Sequence, residues 1–297
     1  MSLFGRLART AESRSPISPY QLLRQTSKAA IDVHNPGTNV FERDWDVLVV
    51  LDACRADMFD RIGPEFGYDD AETTWSVANM SDTWMERTFT DDHRDAIEQT
   101  AYVSGNPFTR FHDWDVSRLD EVWTYAWDDE VNGVPARPIT DRALSTWHEQ
   151  HPAQMIVHYM QPHFPSFPHP TIGDHGDLQD FGHGWDTVWN DAGDAIPWDT
   201  VQEAYDDNLR YVLEDVELLL DNLDAETVAI TADHGNSLGT LGIRGHPKYV
   251  LLPEIRRVPW VEVEGRGPGH YEPSTEREQE DTSDDAVQER LDALGYA

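Results

Sequence analysis

The segment Asp46-Val-Leu-Val-Val-Leu-Asp52 constrains this chain more than any other, because five consecutive Val and Leu residues are closed at both ends by carboxylates. Such a run has no alternation to provide a wet face. It reads as a strand covered on both sides, and strands of that kind belong to parallel sheets with helices above and below. Shorter apolar runs recur at 100–104, 121–127, 154–160, 226–231 and 258–263, with helical patterns between several of them. Alternation of that sort implies a mostly parallel sheet.

The clearest helix runs from about Thr200 to Asn222, where Val201, Tyr205, Leu209, Val212, Val216 and Leu219 recur at three- and four-residue spacing, with Asp199 as its cap. A second helix begins near Thr140 and ends at His151-Pro152. Each delivers the chain to a strand. The expected fold class is α/β, a mostly parallel central β-sheet flanked by helices on both faces, in a single main domain over 41–264. An N-terminal arm, 1–40, precedes it. An acidic linker, 265–283, and a short helical segment, 284–297, that packs on the domain follow it. The stretch 161–198, rich in Pro, Gly, Asp, His and Trp without periodicity, is too long for a plain connection and reads as a functional loop or lid.

Charge then narrows the setting. The chain carries 56 acidic against 22 basic side chains, a formal net charge of −34, and Lys28 and Lys248 are its only lysines. Self-repulsion of that size destabilises a compact state unless the solvent screens it. A carboxylate-dense, lysine-poor surface points to a halophilic, cytoplasmic protein in molar salt. No basic footprint for phosphate backbones is present, which argues against nucleic acid as a partner. The single Cys54 excludes an intramolecular disulfide. No apolar run is long enough to span a bilayer. Residues 1–30 carry Arg6, Arg9, Arg14, Arg24 and Lys28 against Glu12, so this arm either makes a weak membrane-surface contact or packs as a helix on the acidic body; high salt favours the second.

In open α/β sheets ligands bind beyond the carboxyl ends of the strands, and Asp52, His163 and Asp233-His234 each follow an expected strand. Two carboxylates and an imidazole suit one divalent metal ion, Mn²⁺ or Zn²⁺ before Mg²⁺ or Ca²⁺. Gly235 would relax the turn that lets both Asp233 and His234 reach one ion. A lone Asp-His pair after a strand is usually a turn or a cap; the weight comes from its convergence with Asp52 and with Gly245-His246.

Three stretches, VLDACRAD at Leu51 to Asp57 with the residue before it, TADHGNSLG at Thr231 to Gly239 and GHPK at Gly245 to Lys248, resemble the sulfatase-like branch of the alkaline phosphatase/sulfatase superfamily in a haloarchaeal form. RRVPWVEV at Arg256 to Val263 and ERLDALGY at Glu289 to Tyr296 extend the resemblance over most of the chain. It implies an alkaline phosphatase-like fold. It implies Asp52, Asp233 and His234 as metal ligands, with His163 binding the transferred oxyanion and His246 and Lys248 neutralising it. One metal is the expected count, since no second Asp and His set falls in a matching place.

The nucleophile the family places near a helix N-terminus falls in the window Ser76 to Trp84. Ser81 is the first choice there, with Thr83 and Ser76 as alternatives. Cys54 lacks the Pro and Arg of a formylglycine pattern and reads as a buried small side chain. Arg55 and Asp57 read as a structural ion pair, His158 as a satisfied core histidine, and His169, His175 and His183 as reserve ligands. Trp185, Trp189 and Trp198 would be packing or sugar-stacking groups. The resulting expectation is a metal-dependent hydrolase or transferase of a phosphate or sulfate ester, with a small-molecule, glycan-linked or lipid-linked substrate. Its rival is a catalytically silent metal- or oxyanion-binding partner protein.

Overall fold

The computed structural model describes residues 35–172, 191–267 and 269–274, together with 21, 24–28, 31 and 188. The acid-bounded run forms β1, Val47–Leu51, and all five side chains are fully buried. Its two ladders are both parallel, one to β5, Gln154–Tyr159, and one to β6, Val228–Thr231. Covered faces and two hydrogen-bonded edges account for the absence of any polar residue between Asp46 and Asp52.

The sheet has seven strands in the order β2-β9-β6-β1-β5-β3-β4. Strand β3, Thr100–Ser104, and β4, Arg118–Glu121, continue the parallel set beyond β5. On the other side β9, Arg257–Val263, pairs antiparallel with β6 and with the edge strand β2, Glu72–Trp75. The fold is thus α/β with a mostly parallel sheet. Two short strands, β7 at Ser237–Leu238 and β8 at Arg244–Gly245, form a separate hairpin after β6.

Helices α1, Ala56–Ile62, α3, Ala136–Gln150, and α4, Trp198–Leu220, pack side by side. Helix α2, Ser81–Thr88, lies on the opposite face. Strand alternation in β5 makes the division explicit: Tyr159 Oη meets Thr140 Oγ1 of α3 at 2.8 Å, whereas the neighbouring His158 ring packs against Trp84 of α2. No helix among the described residues is long and apolar enough to cross a membrane.

Several expectations need correction. The run 121–127 is not a strand. The strand ends at Glu121, and Val122–Thr124 is a 3-10 turn whose Thr124 hydroxyl donates to the Glu121 carbonyl. Its apolar side chains are buried by packing, and Trp123 donates to Thr109 Oγ1 at 2.9 Å. Helix α3 starts at Ala136 and α4 at Trp198, each just after a proline, so Asp199 sits in the first turn and is not the cap. The arm is described at 24–28 as helix; Ser27 and Ile31 are buried, and Ser27 Oγ accepts from the Leu251 amide at 3.2 Å. The expected helix over 284–297, most of the linker, and His175, His183, Trp185 and Trp189 lie outside the described residues.

Candidate active site at the carboxyl ends of β1, β5 and β6

Because β6, β1 and β5 are neighbours in the sheet, the residues that follow them meet above its centre. After β1 the chain turns sharply: Ala53 adopts φ 59, a left-handed conformation that costs a non-glycine residue about 1–2 kcal/mol. The turn is held by the Ala53 amide donating to Asp233 Oδ1 at 3.0 Å, and by the Tyr205 hydroxyl donating to the Ala53 carbonyl. Asp52 is thereby fixed beside Asp233. The same Asp233 oxygen also accepts from the His234 amide at 2.8 Å. Gly235 is required for a different reason than backbone freedom, since a Cβ there would run into the carbonyl oxygen of Glu254.

The donor inventory of the three ligand candidates is one-sided. His234 Nδ1 lies 2.8 Å from the Gly235 carbonyl oxygen, which can only accept, so the ring proton is on Nδ1 and Nε2 presents a lone pair. That lone pair faces Asp233 Oδ2 at 3.5 Å and Asp52 Oδ1 at 3.7 Å. Both carboxylate oxygens are buried without a hydrogen-bond partner. Burial holds the imidazole down at about 4, so a proton does not resolve the conflict near neutrality. Burial, then the neighbouring Asp233 charge, pushes the Asp52 carboxyl well above the usual range, and burial raises Asp233. One atom from each of the three residues falls within 4.8 Å of the others. Three converging ligand atoms, two of them carboxylate oxygens whose crowding burial makes unfavourable, fit a divalent cation.

The hydroxyl at this cluster is that of Ser81, the first residue of α2. Ser81 Oγ donates to Asp52 Oδ2 at 3.2 Å and lies 3.5 Å from His234 Nε2. The loop before it is stitched to the strand ends. Ser76 Oγ donates to the Asp233 carbonyl, fully buried Arg256 donates to the Ser76 carbonyl, and Asn79 Nδ2 donates to the Pro247 carbonyl. Ser76 is therefore committed to the backbone, and Thr83 lines a neighbouring surface cavity. Of the three hydroxyls weighed, the structure brings Ser81 to the ligands.

His163 and His246 meet above the cluster with their Nε2 atoms 3.2 Å apart. His163 Nδ1 donates to the Phe164 carbonyl at 2.8 Å, which leaves its Nε2 as an acceptor, while backbone groups of His246 and Asn79 engage the His246 ring. Burial lowers both imidazoles well below their ordinary value. Lys248 is exposed and opens onto the cavity that Thr83 lines. His169 pairs with Asp207 at 2.8 Å, on α4. Arg55 and Asp57 form a bidentate ion pair, and Cys54 is fully buried.

Two residues of the site gave no clear signal in the sequence. Asn106, two residues beyond β3, donates to Asp52 Oδ2 at 2.9 Å and steadies that carboxylate. His158 is buried in β5 as expected, but it is not satisfied. Nδ1 meets the Tyr102 hydroxyl at 2.8 Å, while Nε2 has no hydrogen-bond partner and lies 3.8 Å from Asp233 Oδ2. Asn106 could have been found by applying the strand-end rule to β3; His158 looked like any core histidine.

The mostly parallel sheet, with carboxylate and imidazole groups gathered at its strand ends, is consistent with an alkaline phosphatase-like fold. More narrowly, the family model described as Sulfatase matches residues 68–296, and the chain belongs to the sulfatase family. That match contains Ser81, His163, Asp233, His234, His246 and Lys248 and begins after Asp52. No curated protein matches the chain. Among solved structures it is similar to the integral membrane lipooligosaccharide phosphoethanolamine transferase A of Neisseria meningitidis, at 14% identity and TM-score 0.49, covering 89% of this chain and 58% of that one. It is similar to the phosphoglycerol transferase GacH of Streptococcus pyogenes, at 11% identity and TM-score 0.41, covering 96% and 94%. An alkaline phosphatase superfamily protein of Vibrio parahaemolyticus gives 11% identity and TM-score 0.41, covering 85% and 71%. The chain thus spans less than two thirds of the meningococcal protein.

Proposed function

We propose that this protein is a metal-dependent hydrolase or transferase of phosphate esters that uses Ser81 as its nucleophile. The observation that carries the reading is the position of Ser81 Oγ, 3.2 Å from Asp52 Oδ2 and 3.5 Å from His234 Nε2, on the residues that would hold the metal. Asp52, Asp233 and His234 are those residues, and a bound Mn²⁺ or Zn²⁺ would supply Lewis acidity to the hydroxyl and to the ester oxygen. A serine hydroxyl in place of a cysteine-derived group favours phosphoryl over sulfuryl transfer.

The protein's own groups supply the rest. Asp52 Oδ2 is the acceptor already hydrogen-bonded to the hydroxyl proton, and Asn106 keeps that oxygen aimed. Ser81 opens helix α2, whose N-terminal dipole favours negative charge on Oγ. As the Oγ–P bond forms, the hydroxyl proton passes to Asp52 Oδ2 and the bond from phosphorus to the ester oxygen breaks, the leaving oxygen departing as an alkoxide that takes its proton from water, with the His246 ring beside the transferred group. His163 holds that ring in place. Water or an acceptor alcohol then takes the phosphoryl group from Ser81 and restores the hydroxyl. The net charge of −34 supports a high-salt interior as the setting.

The test is turnover of aryl phosphate, phosphodiester and sulfate esters in molar KCl with Mn²⁺ or Zn²⁺, comparing wild type with Ser81→Ala. Mass spectrometry of acid-quenched samples accompanies it. Phosphate turnover that vanishes in Ser81→Ala, with a phosphoryl group on the Ser81 peptide of the wild type, is the expected result. Turnover that survives the substitution removes Ser81 from the mechanism.

A further inference from the structure

The chain contains two lysines, and both line one cavity of about 610 Å³. They come from opposite ends of the sequence. Lys28 is carried by the helical arm, and Lys248 by the loop that follows His246. The arm is seated there by Ser27 against the Leu251 amide, and Lys28 Nζ stands 5.1 Å from the centroid of the Tyr249 ring. Arg87 adds a third cation to the lining, against Asp82 and Glu86. Three cations to two carboxylates reverses the balance of a chain with 22 basic and 56 acidic side chains. Asp82 pairs with His112 at 3.2 Å and is also attracted by Lys248.

The cavity adjoins the Ser81 site. Asp82 and Thr83 follow Ser81 on α2, and Lys248 follows His246 by two residues. The Asn79 amide, donating to the Pro247 carbonyl, ties these two segments together. An ammonium group is a compact point charge that suits an anion approached from several directions, unlike the flat guanidinium fork.

We propose that this cavity is a subsite for a second anionic group of the substrate, so that the preferred ester is a bis-anion: one phosphoryl group at Ser81 and a second phosphate-like or carboxylate anion between Lys28 and Lys248. This rests on the ester-transfer reading of Ser81. The arm is then part of the substrate site, and Lys248 acts on the second anion and not on the transferred group.

Calorimetry on the full-length, metal-loaded protein in molar KCl tests it, using methylenediphosphonate and inorganic phosphate as probes. The wild type is expected to prefer the diphosphonate. Lys28→Gln lowers the ratio of the two affinities about tenfold, the size of one lost contact to a charged group, and Lys28→Arg keeps most of it. A ratio near one in the wild type, or one that ignores Lys28→Gln, overturns the subsite even if aryl phosphates are turned over. A Lys28-dependent ratio without turnover of any ester leaves the subsite standing and removes the catalytic reading. Phosphatidylglycerol vesicles that displace the diphosphonate assign the second anion to a lipid headgroup; vesicles that leave it bound assign it to a soluble ester.

Discussion

Replacing Asp52 with Asn should make the metal-free protein more stable and the metal-loaded protein less stable than wild type. In the wild type, Asp52 Oδ1 is buried without a donor and faces a second carboxylate oxygen and an imidazole lone pair. Asp52 Oδ2, by contrast, accepts from Ser81 and Asn106. An asparagine can keep its carbonyl oxygen in the Oδ2 position and place its amide where Oδ1 stood, turning one acceptor into a donor toward His234 Nε2. Satisfying a buried orphan atom is worth about 1–3 kcal/mol. For a chain of this size each kcal/mol moves the melting temperature by roughly 2–4 °C. A metal at about a hundred times its dissociation constant adds about 2.7 kcal/mol to the wild type, which the variant forfeits. Thermal unfolding in molar KCl, with chelator and then with Mn²⁺ or Zn²⁺, should therefore show the two melting curves exchanging order. A variant less stable than wild type in chelator would refute the reasoning, because it would mean that the Asp52 charge is already compensated by the fold.

His158→Gln should weaken metal affinity by about 10- to 100-fold without unfolding the protein, as expected for a group that orients a ligating carboxylate; unchanged affinity in a metal titration would make His158 plain packing. The same pair reads out pH. Burial lowers His158 to about 4, so the unfolded chain takes up its proton first as pH falls. Its contribution is complete above about 6.5 and is lost toward about 4, at most about 3 kcal/mol. The stability difference between wild type and His158→Gln should shift over that window, and a flat difference would sink the assignment. Stability should also rise steeply with KCl, because the Debye length falls from about 10 Å at 0.1 M to about 3 Å at 1 M; a melting temperature indifferent to salt would mean that the net charge of −34 is not what opposes folding.

What the sequence made legible follows from how many faces an element buries. Strand β1 and helix α4 bury wide, regular surfaces, so their apolar patterns stand clear of the background. The edge strands β2 and β4 do not. Glu72-Thr-Thr-Trp75 and Arg118-Leu-Asp-Glu121 are paired along one side and carry exposed residues, and their buried groups include an aspartate, Asp120, neutralised by Arg142. The site divides in the same way. Asp52, Asp233 and His234 were readable because ionisable residues directly after apolar strands are conspicuous. Ser81 was the first choice in sequence but Ser76 and Thr83 stayed open, since what separates Ser76 is that the buried Arg256 and the Asp233 carbonyl hold it to the backbone. Nothing local to Lys28 and Lys248 could reveal that they share a cavity, because 219 residues of chain lie between them.

That last pairing changes how the net charge should be weighed. A protein at −34 ought to repel an anionic substrate, and in dilute buffer its long-range field would slow the approach. In molar salt the field of a surface carboxylate is screened within about 3 Å, so charges that do not touch the ligand hardly act on it. Attraction then comes only from groups at contact distance. In this chain those are the cation that Asp52, Asp233 and His234 would hold and the ammonium groups of the adjoining cavity. Lowering the salt should accordingly weaken the binding of methylenediphosphonate even while the protein stays folded, the reverse of ordinary ion pairing, because the carboxylate surface regains its reach faster than two lysines can answer it. Calorimetry across a KCl series bounded by the onset of unfolding would decide the matter, and binding that strengthens on dilution would show that local cations outweigh the surface at every ionic strength.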